Sequence, residues 1–146
     1  MTTSRAEALR AVEREVGVLV RRVRRVIGVR ARAVHPDLQP ASYLVLAHLD
    51  ERGPTRSSAV VEELGIDKGA VSRQMHHLVE LGLLERTPDP NDGRASLLSV
   101  SEDARARLER VRTERWEQYD ERLAAWSARD LSDLAEKLAR YNAALD

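Results

Sequence analysis

The sequence predicts a mainly α-helical chain with one small β-hairpin, its central unit flanked by long helices. Three observations carry that expectation. Apolar residues recur at three- and four-residue spacings through most of the 146 residues. The rhythm breaks between residues 83 and 100, where two short runs bracket the turn-rich stretch Pro88-Asp89-Pro90-Asn91-Asp92-Gly93. The core has to be built from Leu, Val and Ala, because the chain has no phenylalanine and only five aromatics, Tyr43, Trp116, Tyr119, Trp126 and Tyr141. That set favours helices.

The first helix is expected over about residues 5–34. Leu9, Val12, Val16, Leu19, Val23 and Val26 alternate spacings of three and four, a coiled-coil-like seam. His35-Pro36 ends it, since the residue before a proline is pushed out of helical geometry. A second helix opens at Pro40-Ala41-Ser42 and stops at Gly53-Pro54. A short helix follows from Ser57 or Ser58 to Leu64, closed by Gly65. Asp67 is a good N-cap for a helix running to Leu81. There Val71, Met75, Leu78 and Gly82 share one stripe, and Gly69, Ser72, Arg73, His76, His77 and Glu80 lie opposite. Leu83 to Thr87 reads as a strand and Arg94 to Val100 as its return. Ser101 caps a long helix with Leu108, Val111, Tyr119, Leu123 and Trp126 as apolar positions, and Asp130 or Ser132 starts the last. In that helix Leu131, Leu134, Leu138, Tyr141 and Leu145 keep a seven-residue rhythm.

Several classes are excluded by composition. Without cysteine there are no disulfides, thiol redox chemistry or Cys-ligated metals. No apolar run approaches the roughly 18 residues of a membrane span, and Met1 to Glu7 carries no apolar signal segment. A cytoplasmic protein without membrane association or cofactor is expected. The formal net charge is zero, but unevenly spread. Residues 1–34 hold nine arginines against three glutamates, while residues 35–100 hold six basic against ten acidic groups. Binding to a polyanion must therefore depend on where charges point.

Helix, tight glycine turn, helix and polar-tipped hairpin is the layout of a winged helix-turn-helix. The major groove of DNA admits one helix, and the second helix of such a pair presents its side chains to base edges. Here that helix offers Gly69, which allows close backbone approach, then Ser72, Arg73, Gln74 and His76. Lys68 in its first turn reaches a phosphate or a base, and Ser57 and Ser58 offer hydroxyls and free N–H groups to phosphate. Arg86 on the first strand and Arg94 on the hairpin complete the candidate set, with Asp92 placed to pair with Arg94 and fix its direction.

Residues 40–104 resemble the MarR family of bacterial transcriptional regulators. The matching stretches are Val60 to Lys68, Val71-Ser72-Arg73 and Leu78 to Arg86. Asp92-Gly93-Arg94 is similar to the family's Asp-x-Arg wing, and Val100 to Ala104 to its Leu-Thr-x-x-Gly. Val60-Val61 replaces a usual Leu-Ala, and Ala104 a common Gly. The resemblance implies one domain over 1–146, with a DNA-binding region at 37–100 and dimerisation regions at 1–36 and 101–146. It also implies a homodimeric, operator-binding repressor of double-stranded DNA, released by a small anionic or aromatic effector. The seams containing Leu9, Val12 and Val16, and Leu131 to Leu145, agree with dimerisation, because alone they would face water.

Other readings are weaker. Neighbours on a helix point about 100° apart, so His76 and His77 cannot chelate one metal, and His76 with Glu80 lacks a third ligand. His48 reads as a hydrogen-bonded side chain, and Arg21-Arg22 with Arg24-Arg25 as a solvated face. Trp116, Tyr119, Leu123 and Trp126 read as helix or dimer packing. No phosphate loop, nucleophile elbow or carboxylate pair supports an enzyme. The acidic balance of residues 35–100 leaves one alternative, a helical adaptor using the winged unit for protein contacts.

Overall fold

Helix α1, Arg5–Val34, opens the computed structural model, which describes residues 3–145. Ser4 and Glu7 cap it reciprocally. The Ser4 hydroxyl accepts from the Glu7 amide at 3.2 Å, and the Glu7 carboxylate accepts from the Ser4 amide at 2.8 Å. His35 leaves helical geometry just before Pro36, as expected. Helix α2, Pro40–Arg52, starts on a proline whose missing N–H costs nothing there, and ends at Gly53 with φ +81°.

The chain then pairs a two-residue strand, β1 (Thr55–Arg56), before entering α3, Ser57–Leu64. Gly65 turns in the left-handed region at φ +60°, and Asp67 caps α4, Lys68–Glu80, by accepting from the Ala70 amide at 3.0 Å. Gly82 does not extend the apolar stripe of α4. It lies past the helix end at φ +71°, exposed, with the Leu83 amide donating back to the Leu78 carbonyl. Strands β2 (Leu84–Asp89) and β3 (Asp92–Val100) form the hairpin, followed by α5, Glu102–Arg122, and α6, Ala128–Ala143.

The sheet is antiparallel in the order β1-β3-β2, so the unexpected β1 makes it three-stranded. Both hairpin strands are longer than the sequence suggested. Pro88 and Asp89 belong to β2, and the turn shrinks to Pro90-Asn91. An edge strand tolerates Pro88 because its missing donor need not face a partner. The register shifts from Pro88 opposite Ser96 to Asp89 opposite Asp92, leaving Gly93, Arg94 and Ala95 as a bulge in β3.

Two compact units divide the chain, one ending at Val111 and the other beginning at Arg112. In the first, Leu46 and Leu49 of α2, Val60 of α3, Val71 and Leu78 of α4, and Leu83 and Leu98 at the sheet are fully buried. Ser101 fastens α5 to this core. Its hydroxyl donates to the Gly82 carbonyl at 2.9 Å and accepts from the Ala104 amide at 3.2 Å. Arg107 Nη1 donates to the Val34 carbonyl at 3.1 Å, occupying a free acceptor at the end of α1. By contrast the seam of α1 is largely exposed: Leu9 is 58% and Leu19 48% exposed, while Val16 is half-buried.

The second unit holds the end of α5, a turn and α6. The long helix stops at Arg122, so Leu123 and Trp126 occupy the turn and not the helix. The last helix begins earlier than expected because Ser127 and Asp130 form a second capping box. The Ser127 hydroxyl accepts from the Asp130 amide at 3.2 Å, and the Asp130 carboxylate accepts from the Ser127 amide at 2.9 Å. The Ser127 hydroxyl also donates to the Asp130 carboxylate at 2.6 Å, and this bond first, then that from the Ser127 amide, holds the Asp130 carboxyl below its ordinary range. Leu131, Leu134 and Leu138 are exposed, Leu145 more so, and Tyr141 is half-buried. Among the described residues no helix is long and apolar enough to cross a membrane.

Candidate nucleic-acid interface

Thr55 pairs with Leu98 and Arg56 with Leu97, so β1 sets the start of α3 directly against the hairpin. Arg56 is also the residue that precedes the first turn of α3. Its guanidinium donates through Nε (2.6 Å) and Nη2 (2.5 Å) to Oδ2 of Asp89, a buried carboxylate near the hairpin turn. The other oxygen of Asp89 accepts from the Asn91 amide at 2.8 Å. That N–H foremost, with the Arg56 guanidinium, holds the Asp89 carboxyl below its usual range against the penalty of burial. Neither residue was legible as a site member. A two-residue strand has no periodicity to read, and Asp89 sat in what looked like a turn.

A groove of about 430 Å³ lies between α3, α4 and β2. Ser57, Ser58, Lys68, Ser72 and Arg86 all line it. Five candidates from four stretches of sequence thus meet at one surface. The serines sit at the N-terminus of α3, where unpaired amides favour an anion. Lys68 and Arg86 supply positive charge across from them. Glu62 also lines the groove and was not anticipated. Its neighbour Glu63 turns away, accepting from Arg52 Nε at 3.0 Å and lying 2.7 Å from His48 Nε2. Those contacts, Arg52 first, hold the Glu63 carboxyl low, and His48 is the hydrogen-bonded side chain expected of it.

The remaining candidates divide. Ser72, Arg73 and His76 are exposed on the outer face of α4, while Val71, Met75 and Leu78 face the core. A Cβ on Gly69 would lie 3.0 Å from the Asp67 Oδ2 and 3.4 Å from the Arg73 Nη1, so the glycine chiefly leaves room for the capping carboxylate. Gln74 departs from its expected place: its amide oxygen accepts from the buried Ser42 hydroxyl, which turns it toward α2 and away from the outer face. His76 lies 3.3 Å from Glu80 one turn on, and His77 Nε2 is 3.2 Å from the Asp37 carbonyl oxygen, so each ring has its own partner. Arg94 is exposed on the bulge of β3 and not at the turn itself. Asp92 fixes the backbone there, accepting from the Arg94 amide at 3.1 Å, rather than pairing with the guanidinium.

Comparison with known proteins places this geometry in company. Residues 37–95 match the model of the MarR family. The chain is 35% identical over 108 residues to the uncharacterized HTH-type transcriptional regulator YxaD of Bacillus subtilis (strain 168), covering 74% of this chain and 76% of that one. Among solved structures it is similar to a MarR protein from Peptoclostridium difficile, with a TM-score of 0.73 and 17% identity over 92% of this chain and 86% of that one. It is also similar to a MarR family transcriptional regulator from Listeria monocytogenes complexed with a 26-mer DNA. There the TM-score is 0.72 at 18% identity, over 90% of this chain and 87% of the other.

Proposed function

The chain belongs to the MarR family of winged helix-turn-helix transcriptional regulators, and on that premise we propose that it is a homodimeric repressor reading a palindromic operator in the cytoplasm. It is a DNA-binding regulator and not an enzyme. The observation that carries the docking mode is the groove that gathers Ser57, Ser58, Lys68, Ser72 and Arg86. A backbone phosphate seated there would meet the amides of α3 and two cations at once. With that strand anchored, the outer face of α4 enters the major groove, where Arg73 bonds a base edge, and Arg94 reaches the flanking minor groove. The similar fold of the Listeria monocytogenes protein, complexed with a 26-mer DNA, supports duplex DNA as the partner.

Dimerisation is supported by the uncovered seams of α1 and α6, where Leu9, Val12, Leu131, Leu134 and Leu138 are exposed. Two recognition helices related by a two-fold axis would require half-sites about one helical turn apart. The repressor role and release by a small anionic or aromatic effector rest on kinship with the family. Kinship also argues against the adaptor alternative, since the winged unit is the matched segment.

Selection of genomic fragments on the purified protein tests the whole reading. An enriched inverted repeat is expected, together with a light-scattering mass of twice 16.4 kDa. Equal retention of all fragments at physiological salt would defeat sequence-specific binding, and a mass of one chain would defeat the dimer. Loss of reporter expression on supplying the protein is the sign of a repressor; a gain would reverse that assignment.

A further inference from the structure

The chain is poor in aromatic residues, yet three of its five, including both tryptophans, gather at the corner after α5. Trp116, Tyr119 and Asp120 fall at i, i+3 and i+4, on one face of that helix. The turn that follows is tightly bonded. The Leu123 amide donates to the Tyr119 carbonyl at 2.9 Å, and the Trp126 amide to the Leu123 carbonyl at 2.8 Å. The capping box at Ser127 then starts α6 and delivers Leu131 to the same side. The result is a cavity of about 390 Å³ lined chiefly by Trp116, Tyr119, Asp120, Leu123, Trp126 and Leu131. Trp116 is 75% exposed, and the other two rings are about half exposed.

We infer that this corner is a binding site for a small organic cation of the quaternary-ammonium class. Aromatic π-systems attract a cation, indole most strongly, and a carboxylate adds its charge. Asp120 is the one charged residue among the described residues lining the cavity, so an anion is repelled there. A quaternary ammonium has no N–H groups to satisfy, which suits walls with few acceptors. Its methyl groups also bury apolar surface against Leu123 and Leu131. The volume falls within the range of small-molecule sites. Nothing in this inference rests on DNA binding, so either reading can fail alone. Leu131 also belongs to the seam proposed for dimerisation, and the test therefore uses the full chain in its native assembly.

Because both tryptophans line the cavity, intrinsic fluorescence reports on this site. The full-length protein is titrated with choline chloride at constant ionic strength, and in parallel with 3,3-dimethylbutan-1-ol, its neutral isostere. A saturable change is expected with choline, at a midpoint at least about twofold lower than with the alcohol. Asp120→Asn should weaken choline binding about two- to fivefold and leave the alcohol unaffected. Trp116→Leu, read through the remaining Trp126, should weaken choline by a similar factor. Both side chains are exposed, and unchanged circular dichroism will verify their folding. No saturable response to choline, equal midpoints for the cation and the alcohol, or an Asp120→Asn variant with wild-type choline affinity would each overturn the assignment.

Discussion

Removing the two cations of the groove together, as Lys68→Ala/Arg86→Ala, gives the sharpest test of how DNA is held. Both line the same cleft as Ser57 and Ser58, so each is expected to neutralise one phosphate. On B-DNA every neutralised phosphate adds about 0.9 to the slope of log affinity against log salt. Two lost contacts should therefore flatten the slope by about 1.8. Between about 50 and 200 mM salt, the wild type should lose roughly 12-fold more affinity than the double variant. The fold should not suffer. Both side chains are exposed, and a lysine in the first turn of α4 opposes the helix dipole. Fluorescence anisotropy of a labelled duplex across a salt series supplies the slopes, and Glu62→Gln provides a control of opposite sign by removing a repulsive charge. Parallel log–log lines for wild type and double variant would refute the placement of phosphate in this groove.

Four further outcomes are expected. Arg73→Ala should cost about 1–3 kcal/mol of discrimination at one base pair, and an equal loss on operator and random duplex would reassign it to phosphate. Arg94→Ala should weaken binding and lower the salt slope by about one without changing the preferred core bases; unchanged affinity would remove the wing from the interface. Gly65→Ala meets nothing within 4 Å of its new Cβ, so its cost is backbone strain alone, about 1 kcal/mol. Gly65→Asn should recover much of that, and identical urea midpoints for the alanine variant and wild type would contradict the left-handed turn. The carboxyls of Glu7, Glu63, Asp89 and Asp130 are all held below their usual values. Groups with depressed folded-state values contribute stability above the ordinary carboxylate range and lose it as pH falls through the lowered one. Tm followed by circular dichroism should thus drop between about pH 5 and 3, and a rise would contradict the assigned contacts.

The helical part of this fold was legible because each boundary has a local cause. His35 before a proline, Gly53, Gly65 and the Asp67 cap all act within a turn of their position. What escaped depended on distant partners. Strand β1 exists because Thr55 and Arg56 meet Leu98 and Leu97, some forty residues on. Gln74 sits in a helix full of exposed polar groups, and only Ser42, 32 residues earlier, explains why it turns inward. Leu123 and Trp126 continued an apolar rhythm that the Ser127 capping box interrupts. At the interface, residue types announced Ser57, Lys68 and Arg86 one by one, whereas their meeting in one groove required the sheet.

The absence of any spacer between strand and helix at Arg56 also limits how such a protein can change. This residue ends β1, precedes α3 and holds the turn end of the wing through Asp89, so an inserted residue there would displace the serines proposed to hold phosphate and the wing together. The Pro90-Asn91 turn is exposed and is tied to that clamp by the Asn91 amide, which donates to Asp89. Length added at the turn would alter the proposed reach toward the minor groove and leave α3 and α4 in place, provided the bond from the Asn91 amide to Asp89 is kept. Drift in chain length is thus better tolerated at the tip than at the hinge, and an engineer wishing to retune flanking-sequence preference should add residues next to Pro90 and keep Asn91.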